Sequence, residues 1–214
     1  ELDASSASYR AQQTMGALGV GNISSANYDA IAGQLTPNAP FLEMGVTGAD
    51  VDFGTLSPSS TSYGAAQGGP CNCTFYIRSY LSSSYTVITV SQPPINESGD
   101  VLDAKTVQAA PSSDPSVEEF GMNLVANTSP ATFGANLSNQ PDNTFADGQI
   151  ATGYQTANQY KYGVGDVVAQ SPATVGNQAV GLTYYTISYI AKISNITEAG
   201  SYAMNHVLVA VPVY

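Results

Sequence analysis

The side chains that most often carry out enzyme chemistry are sparse in this chain. Its 214 residues include one histidine, His206, and two cysteines, Cys71 and Cys73. His206 lies in the middle of the last apolar stretch, with Met204 and Leu208 on the same predicted face, so neither a Ser-His-Asp triad nor a histidine metal site can be assembled around it. We expect His206 to be a packed or partner-contacting side chain and the protein not to be an enzyme.

One residue separates the two cysteines. Side chains at positions i and i+2 of an extended strand share a face, with Cα atoms about 7 Å apart, so a disulfide between Cys71 and Cys73 needs a tight turn. The Gly-Gly-Pro sequence before Cys71 can supply that turn. A structural disulfide in a small loop is the expectation. A redox-active pair is the alternative, and a metal site would need more ligands than two sulfurs.

Carboxylates are the remaining candidates for chemistry. Two of them suffice for glycosidase activity, but the chain has no tryptophan to stack on a sugar ring, and its acids lie in predicted loops or at solvent-facing positions such as Asp50 and Asp52. The loop 142–148 places oxygen ligands before a glycine, yet it departs from the EF-hand spacing and lacks the terminal glutamate. We predict no cofactor and no metal, with calcium at 142–148 as the alternative.

The charge balance excludes two classes of partner. Sixteen acidic residues against five basic ones give a net charge of −11, and the basic residues are scattered singly. Such a chain can neither neutralise a phosphate backbone nor follow an anionic membrane. It also contains no apolar run of about 18 residues that could span a bilayer. The first residue is Glu1 rather than Met, which is what removal of an export signal, or truncation of a longer sequence, would leave.

Alternation of apolar and polar residues predicts β-strands through most of the chain. Residues 182–194 and 202–213 predict two long antiparallel strands, the second apolar on both faces and therefore buried twice. Residues 74–80 and 85–90 predict a hairpin joined by 81–84. About nine short strands with Ser, Asn, Gly and Pro loops, and no convincing helix, predict an antiparallel β-sandwich of the jelly-roll or immunoglobulin-like type.

The first 24 residues differ from the rest. Small residues alternate with polar ones and a glycine-rich stretch follows, so we predict an extended N-terminal arm over 1–24 and a β-sandwich domain over 25–214. An arm of about 20 residues reaches about 60 to 70 Å when extended, more than the width of a domain.

Such an arm can complete the sheet of a neighbouring copy, because an open sandwich has strand edges that need pairing. The predicted donor side chains share one face of the arm: Ala7, Tyr9, Ala11 and Gln13. The predicted acceptor edge lies near 202–211 and includes Tyr202, Met204 and Leu208. Because head-to-tail contacts of this kind need not close, repeated addition gives a filament.

The chain carries six Asn-x-Ser/Thr sequons, and glycosylation is a hypothesis for an exported protein. A sequence so rich in Asn, Ser and Thr contains several by chance. The sequons lie at Asn22, Asn72, Asn96, Asn127, Asn136 and Asn195.

Several segments also resemble known proteins. Residues 38–44, 53–56, 74–85, 120–127 and 184–190 look like a little-characterised family of secreted surface proteins of candidate-phyla-radiation bacteria, a similarity that covers most of the chain from about Ser5 onward. More distantly, the Phe-Gly-Thr-Leu element at 53–56 and the turn at 199–202 are similar to jelly-roll fibre subunits of the TasA and camelysin type. Some of those subunits polymerise by donating an N-terminal strand.

Together these patterns predict an extracellular structural subunit that assembles with itself into a filament or surface layer by N-terminal donor-strand addition. Host-cell or environmental surfaces are further candidate partners. The alternative is a monomeric secreted adhesin or carbohydrate-binding module, and a secreted hydrolase would require a convergent acid pair in a deep cleft.

Overall fold

The computed structural model describes residues 2–5, 10–13, 21–24, 29–32, 41–48, 50–82, 84–143, 146–172 and 179–213. The chain divides into two compact units, Glu1–Ala39 and Pro40–Tyr214. All regular structure in the described ranges is β. None of it is a helix that could cross a membrane.

The smaller unit is built from two antiparallel strand pairs. Strand β1 (Leu2–Ser5) pairs with β2 (Arg10–Gln13), and β3 (Gly21–Ser24) pairs with β4 (Asp29–Ala32). Residues 2–5 and 10–13, predicted as parts of a single extended arm, are thus two strands that pair with each other. The unit ends at 39 rather than at 24 because β3 has its partner, β4, beyond residue 24.

In its described residues the larger unit has eleven strands in three antiparallel sheets. The sheets have the orders β10-β13-β7-β5, β11-β12-β8-β15 and β6-β14-β9. The strands are β5 (Phe41–Val46), β6 (Ser62–Ala66), β7 (Phe75–Ser82), β8 (Ser84–Thr89), β9 (Glu119–Asn123), β10 (Ser138–Gln140), β11 (Gln149–Ile150), β12 (Val167–Ser171), β13 (Ala179–Tyr185), β14 (Ile187–Lys192) and β15 (Leu208–Val213).

The sheets enclose a common core that is rich in aromatic side chains. Phe75 of β7 stacks on Tyr185 of β13 with ring centroids 4.9 Å apart. The hydroxyl groups of Tyr185 and Tyr85 lie 2.9 Å apart, so the core is hydrogen-bonded between β13 of one sheet and β8 of another. The predicted class, an all-β antiparallel sandwich, is confirmed.

The predicted hairpin between 74–80 and 85–90 is wrong. Strand β7 pairs with β5 and β13, whereas β8 pairs with β12 and β15. A single residue separates the two strands, fewer than the two that the tightest common hairpin loop requires. The chain therefore passes from one sheet to another at this point.

The predicted pairing of the two C-terminal stretches is also wrong. Residues 182–194 contain parts of two strands, β13 and β14, separated by Thr186. Both edges of β14 are occupied, by β6 and by β9, so β14 has no edge left for the last strand. Strand β15 pairs with β8 instead and is not buried on both faces, since Val209 and Val211 are exposed.

A buried lysine holds the long excursion 95–118 against the third sheet. Lys192 is 1% exposed, and its Nζ donates hydrogen bonds to the carbonyl oxygens of Ser112 at 2.8 Å and Asp114 at 2.6 Å. The neighbouring Glu119 accepts from the backbone N–H of Ser112 at 2.7 Å and from Lys105 Nζ at 2.5 Å. A buried ammonium group is tolerated here because its hydrogen bonds to the protein replace the hydrogen bonds to water that it loses on burial.

We predict that Lys192→Met lowers the free energy of unfolding by about 3 kcal/mol, because it removes two charged hydrogen bonds from a buried site. Lys161→Met is the matched control. Lys161 Nζ lies 2.7 Å from Asp166 with both side chains about a quarter to a third exposed, and such a pair contributes less than about 1 kcal/mol. Urea denaturation followed by tyrosine fluorescence measures both values. Equal losses in the two variants would contradict the clamping role of Lys192.

Candidate functional site

Strand β15 is the last strand of its sheet. In the described part of the chain it pairs with β8 alone, from Leu208 opposite Thr89 to Val213 opposite Ser84. Its second edge therefore has no strand partner there. Edges of this kind are where a further strand can add.

The register of β15 on β8 determines which backbone groups of β15 point toward its second edge. Val90 N–H donates to the Val207 carbonyl at 3.1 Å, so residues 207, 209, 211 and 213 direct their backbone groups toward β8 in an antiparallel ladder. Leu208, Ala210 and Pro212 then direct theirs outward. Proline has no N–H. Because position 212 faces away from β8, the missing N–H costs the sheet no hydrogen bond.

The exposed side chains of this segment form a row of valines. They occupy alternate positions, and the exposed fractions are 50% for Val207, 42% for Val209, 41% for Val211 and 49% for Val213. The side chains between them, Leu208 and Ala210, pack against the core. Strand β15 thus presents an apolar outer face beside its open edge.

Three residues were predicted at the acceptor edge, and the structure places all three on the segment that leads into or forms β15. Their side chains point inward rather than outward: Tyr202, Met204 and Leu208 pack against the core. Tyr202 Oη donates to the carbonyl of Glu198 at 2.9 Å. The outward residues are the alternating valines, which sequence reasoning missed. Pro212 was the available signal, because proline in a strand indicates an edge.

A groove of about 480 Å³ lies beside the start of β15. Within it, Ile95 and Ala203 exchange backbone hydrogen bonds of 2.9 and 3.0 Å. None of the lining residues is charged or aromatic: Val90, Ser91, Gln92, Pro93, Ile95, Ala203, Met204, Asn205 and Val207. The groove extends the apolar face of β15.

This surface also lacks charge. Residues 79–96 and 199–214 contain no Asp, Glu, Lys or Arg. Elsewhere in the described chain, three of the cationic side chains pair with a carboxylate: Arg78 with Glu43, Lys105 with Glu119 and Lys161 with Asp166. Lys192 is buried, and the side chain of Arg10 lies outside the described part. The acidic excess therefore lies outside the strand pair β8 and β15.

His206 fastens the segment that precedes β15 to the core. Its Nδ1 lies 2.6 Å from Tyr189 Oη, and its Nε2 lies 2.8 Å from Thr89 Oγ1. Burial lowers the pKa of His206 to about 4, so the ring is neutral at neutral pH. The side chain is packed, as the sequence indicated, and both of its nitrogens are engaged.

A metal ion in a protein needs several acidic, histidine or cysteine side chains held together. Within the ranges that the structure describes, no group of three or more His, Cys, Asp or Glu side chains could hold a metal ion. In the loop 142–148, Asn143 Oδ1 accepts a hydrogen bond from Asn139 Nδ2 at 2.8 Å, and residues 144–145 lie outside the described chain.

Cys71 and Cys73 form a disulfide with an S–S distance of 2.04 Å. The tight turn is closed by reciprocal backbone hydrogen bonds of 3.1 and 3.3 Å between Gly68 and Cys73. Asn72, between the cysteines, has a positive φ of 49°, a conformation that asparagine tolerates better than most residues. The Thr47 hydroxyl lies 3.2 and 3.3 Å from the two sulfurs and covers the disulfide on one side.

The donor residues fall only partly within the described chain. Ala7 and Tyr9 lie outside it. Ala11 and Gln13 belong to β2 and lie opposite Ala4 and Leu2 of β1. The described part of the donor segment, 10–13, therefore already pairs along one backbone edge with β1 of the same chain.

Comparison with known proteins adds little. No family model and no curated protein matches this chain. Among solved structures it is similar to the crystal structure of the CsuC-CsuE chaperone-tip adhesion subunit pre-assembly complex from archaic chaperone-usher Csu pili of Acinetobacter baumannii, with 15% identity and a TM-score of 0.27. The match covers 80% of this chain and 39% of that one. A TM-score this low carries no argument about fold or function.

The structure separates the sequons into two groups. Asn96 and Asn127 are buried, and their amides are bonded to Asp100 and Asn123 respectively at 3.0 Å. The side chain of Asn22 lies outside the described part. The exposed sequons are Asn72, Asn136 and Asn195.

When the protein passes through a secretory pathway that attaches N-glycans, we expect glycan on the exposed asparagines 72, 136 and 195 and none on Asn96 or Asn127, because a glycan at either would displace buried hydrogen bonds. Glycopeptide mass spectrometry of the folded, secreted protein measures the occupancy of each sequon. Occupancy at Asn96 or Asn127 in that material would contradict the placement of these side chains.

The depressed pKa of His206 predicts a loss of stability in acid. In the unfolded chain the ring titrates near 6.5 and in the folded protein near 4, so between these pH values only the unfolded state binds the proton. Stability is fully present above pH 6.5 and falls as the pH drops toward 4, by about 3 kcal/mol.

The measurement is urea denaturation across this pH range, for the wild type and for His206→Gln. The glutamine variant keeps hydrogen-bonding groups but cannot titrate. Its free energy of unfolding should therefore fall by about 3 kcal/mol less than that of the wild type as the pH drops from 6.5 toward 4. The same pH dependence in both proteins would show that His206 is not the group responsible.

Proposed function

We propose that this chain is an exported structural subunit that assembles with copies of itself into an extracellular filament or surface layer. The observation that carries the proposal is that two of its sheets end in six-residue strands, β5 and β15. Two terminal strands in different sheets allow one copy to contact two others. Strand addition at such edges uses backbone hydrogen bonds and needs little sequence specificity.

The proposed donor is the N-terminal segment that includes Ala7, Tyr9, Ala11 and Gln13. Its described part is a hairpin of two four-residue strands, β1 and β2. A two-stranded hairpin by itself is at best marginally stable in water. Addition to a terminal strand of the next copy would give the hairpin a third strand. This contact joins different surfaces of the two copies, so it can repeat without closing.

The acceptor is a terminal strand of the larger unit. Strand β15, which the sequence indicated, offers the outward N–H groups of Leu208 and Ala210 and the outward carbonyls of Leu208, Ala210 and Pro212. The apolar groove and the valine row beside it suit the side chains of an added strand. Strand β5 is the second candidate of the same length.

The alternative function, a monomeric adhesin or carbohydrate-binding module, requires a surface on which a sugar ring can stack. The groove beside β15 has no aromatic lining residue. No observation in the described chain favours that alternative over self-assembly.

Deletion of residues 1–20 should convert filaments into smaller soluble species, because it removes the proposed donor and leaves the larger unit intact. Negative-stain microscopy and sedimentation velocity of the full chain and the truncated chain measure the effect. Ala11→Pro, which removes one backbone N–H from β2, should weaken assembly in the same direction. Filaments that still form from the truncated chain would refute the role of the donor, and a full chain that forms none would refute the proposal.

A further inference from the structure

We infer that two copies of this chain also pair through β15 itself, antiparallel to each other, across a two-fold axis at Ala210. The two β11-β12-β8-β15 sheets then become one continuous sheet. The partner that fits this edge is thus a second β15 strand.

The sequence of the strand is self-complementary about Ala210. Residues 207–213 read Val-Leu-Val-Ala-Val-Pro-Val, and the valines occupy the same positions from either end. With Ala210 opposite its counterpart, Val209 lies opposite Val211 of the second copy, and Val207 lies opposite Val213. Cross-strand pairs of side chains on one face are what stabilise neighbouring strands of a sheet. Each exposed valine of one copy then lies opposite a valine of the other.

The backbone groups match in the same register. The two Ala210 residues exchange two reciprocal hydrogen bonds, since both their N–H and C=O groups face outward. Each Leu208 N–H meets the carbonyl of Pro212 in the other copy. The missing N–H of Pro212 leaves only the Leu208 carbonyl without a donor, so no outward N–H is left unpaired.

The charge distribution favours a second copy as the occupant. A net charge of −11 opposes contact between most surfaces of two copies. Strands β8 and β15 lie in the stretches without charged residues, 79–96 and 199–214. Two copies can meet here without bringing carboxylates together.

This contact differs from the one proposed for the filament, and it does not rest on it. It joins identical surfaces and closes after two copies. When it forms, β15 is occupied, and the N-terminal donor must use another terminal strand, for which β5 is the candidate. The two contacts together would join filaments side by side.

The test uses the full chain and, in parallel, the chain lacking residues 1–20, so that pairing through β15 is measured separately from assembly through the N-terminal donor. Sedimentation velocity and native mass spectrometry should detect a dimer. Val209→Lys with Val211→Lys should raise the dimer dissociation constant at least about 10-fold, because each lysine then faces a lysine across the two-fold axis. The control, Val107→Lys with Val164→Lys, makes the same charge change at exposed valines elsewhere and should leave the dimer unchanged.

A third variant tests the register. Val209→Glu with Val211→Lys places glutamate opposite lysine in both halves of the antiparallel pair, so this variant should dimerise again while the double-lysine variant does not. Circular dichroism checks that each variant is folded. A monomeric parent chain, an equal effect of the control pair, or failure of the Glu/Lys variant to restore the dimer would each overturn the inference.

Discussion

The architecture depends on the chain passing from one sheet to another with a single connecting residue. This happens between β7 and β8 and again between β13 and β14. Both crossings bring long strands of different sheets onto the same core, where Tyr85 and Tyr185 share a hydrogen bond. Because β14 is then enclosed by β6 and β9, it has no edge left for the last strand, which adds instead to the edge of β8 that β12 does not occupy. The open edge of β15 is a consequence of these crossings.

The distribution of charge also makes the surface around β15 suitable for contact between copies. Only 10% of the residues are charged; Arg78, Lys105 and Lys161 pair with carboxylates, and the Lys192 ammonium is bonded to backbone carbonyl oxygens. Residues 79–96 and 199–214, which include β8, β15 and the residues that line the groove, contain no charged residue. A net negative charge opposes nonspecific contact between copies, and the uncharged surface of β8 and β15 is one where that repulsion is weakest. The open edge of β15 lies beside this uncharged surface. Another copy can therefore pair with the edge without bringing charged side chains together.

Much of the local structure could be predicted from the sequence, and the pairing of strands could not. The solvent-facing positions predicted for Asp50 and Asp52 are confirmed, since both are exposed, and Val51 and Phe53 beside them pack against the core. Alternation specifies the two faces of a strand but carries no information about its neighbour, so the hairpin at 81–84 and the C-terminal pair were wrong. Apolar residues on both faces of 202–213 suggested a central strand. The same composition also fits an edge strand whose outer face is covered only after assembly, and Pro212 alone distinguishes the two.

The central claim is that copies of this chain meet at the open edge of β15. Amide hydrogen exchange of the peptide that contains Leu208 and Ala210, followed over a range of protein concentrations, tests it most directly, because the outward N–H groups of these residues have no strand partner within the described chain. The account predicts fast exchange in dilute protein and protection that grows with concentration, while the N–H groups of Val209 and Val211, bonded to β8, stay protected throughout. Exchange at Leu208 and Ala210 that is equally fast at every concentration, in material that has assembled, would contradict it.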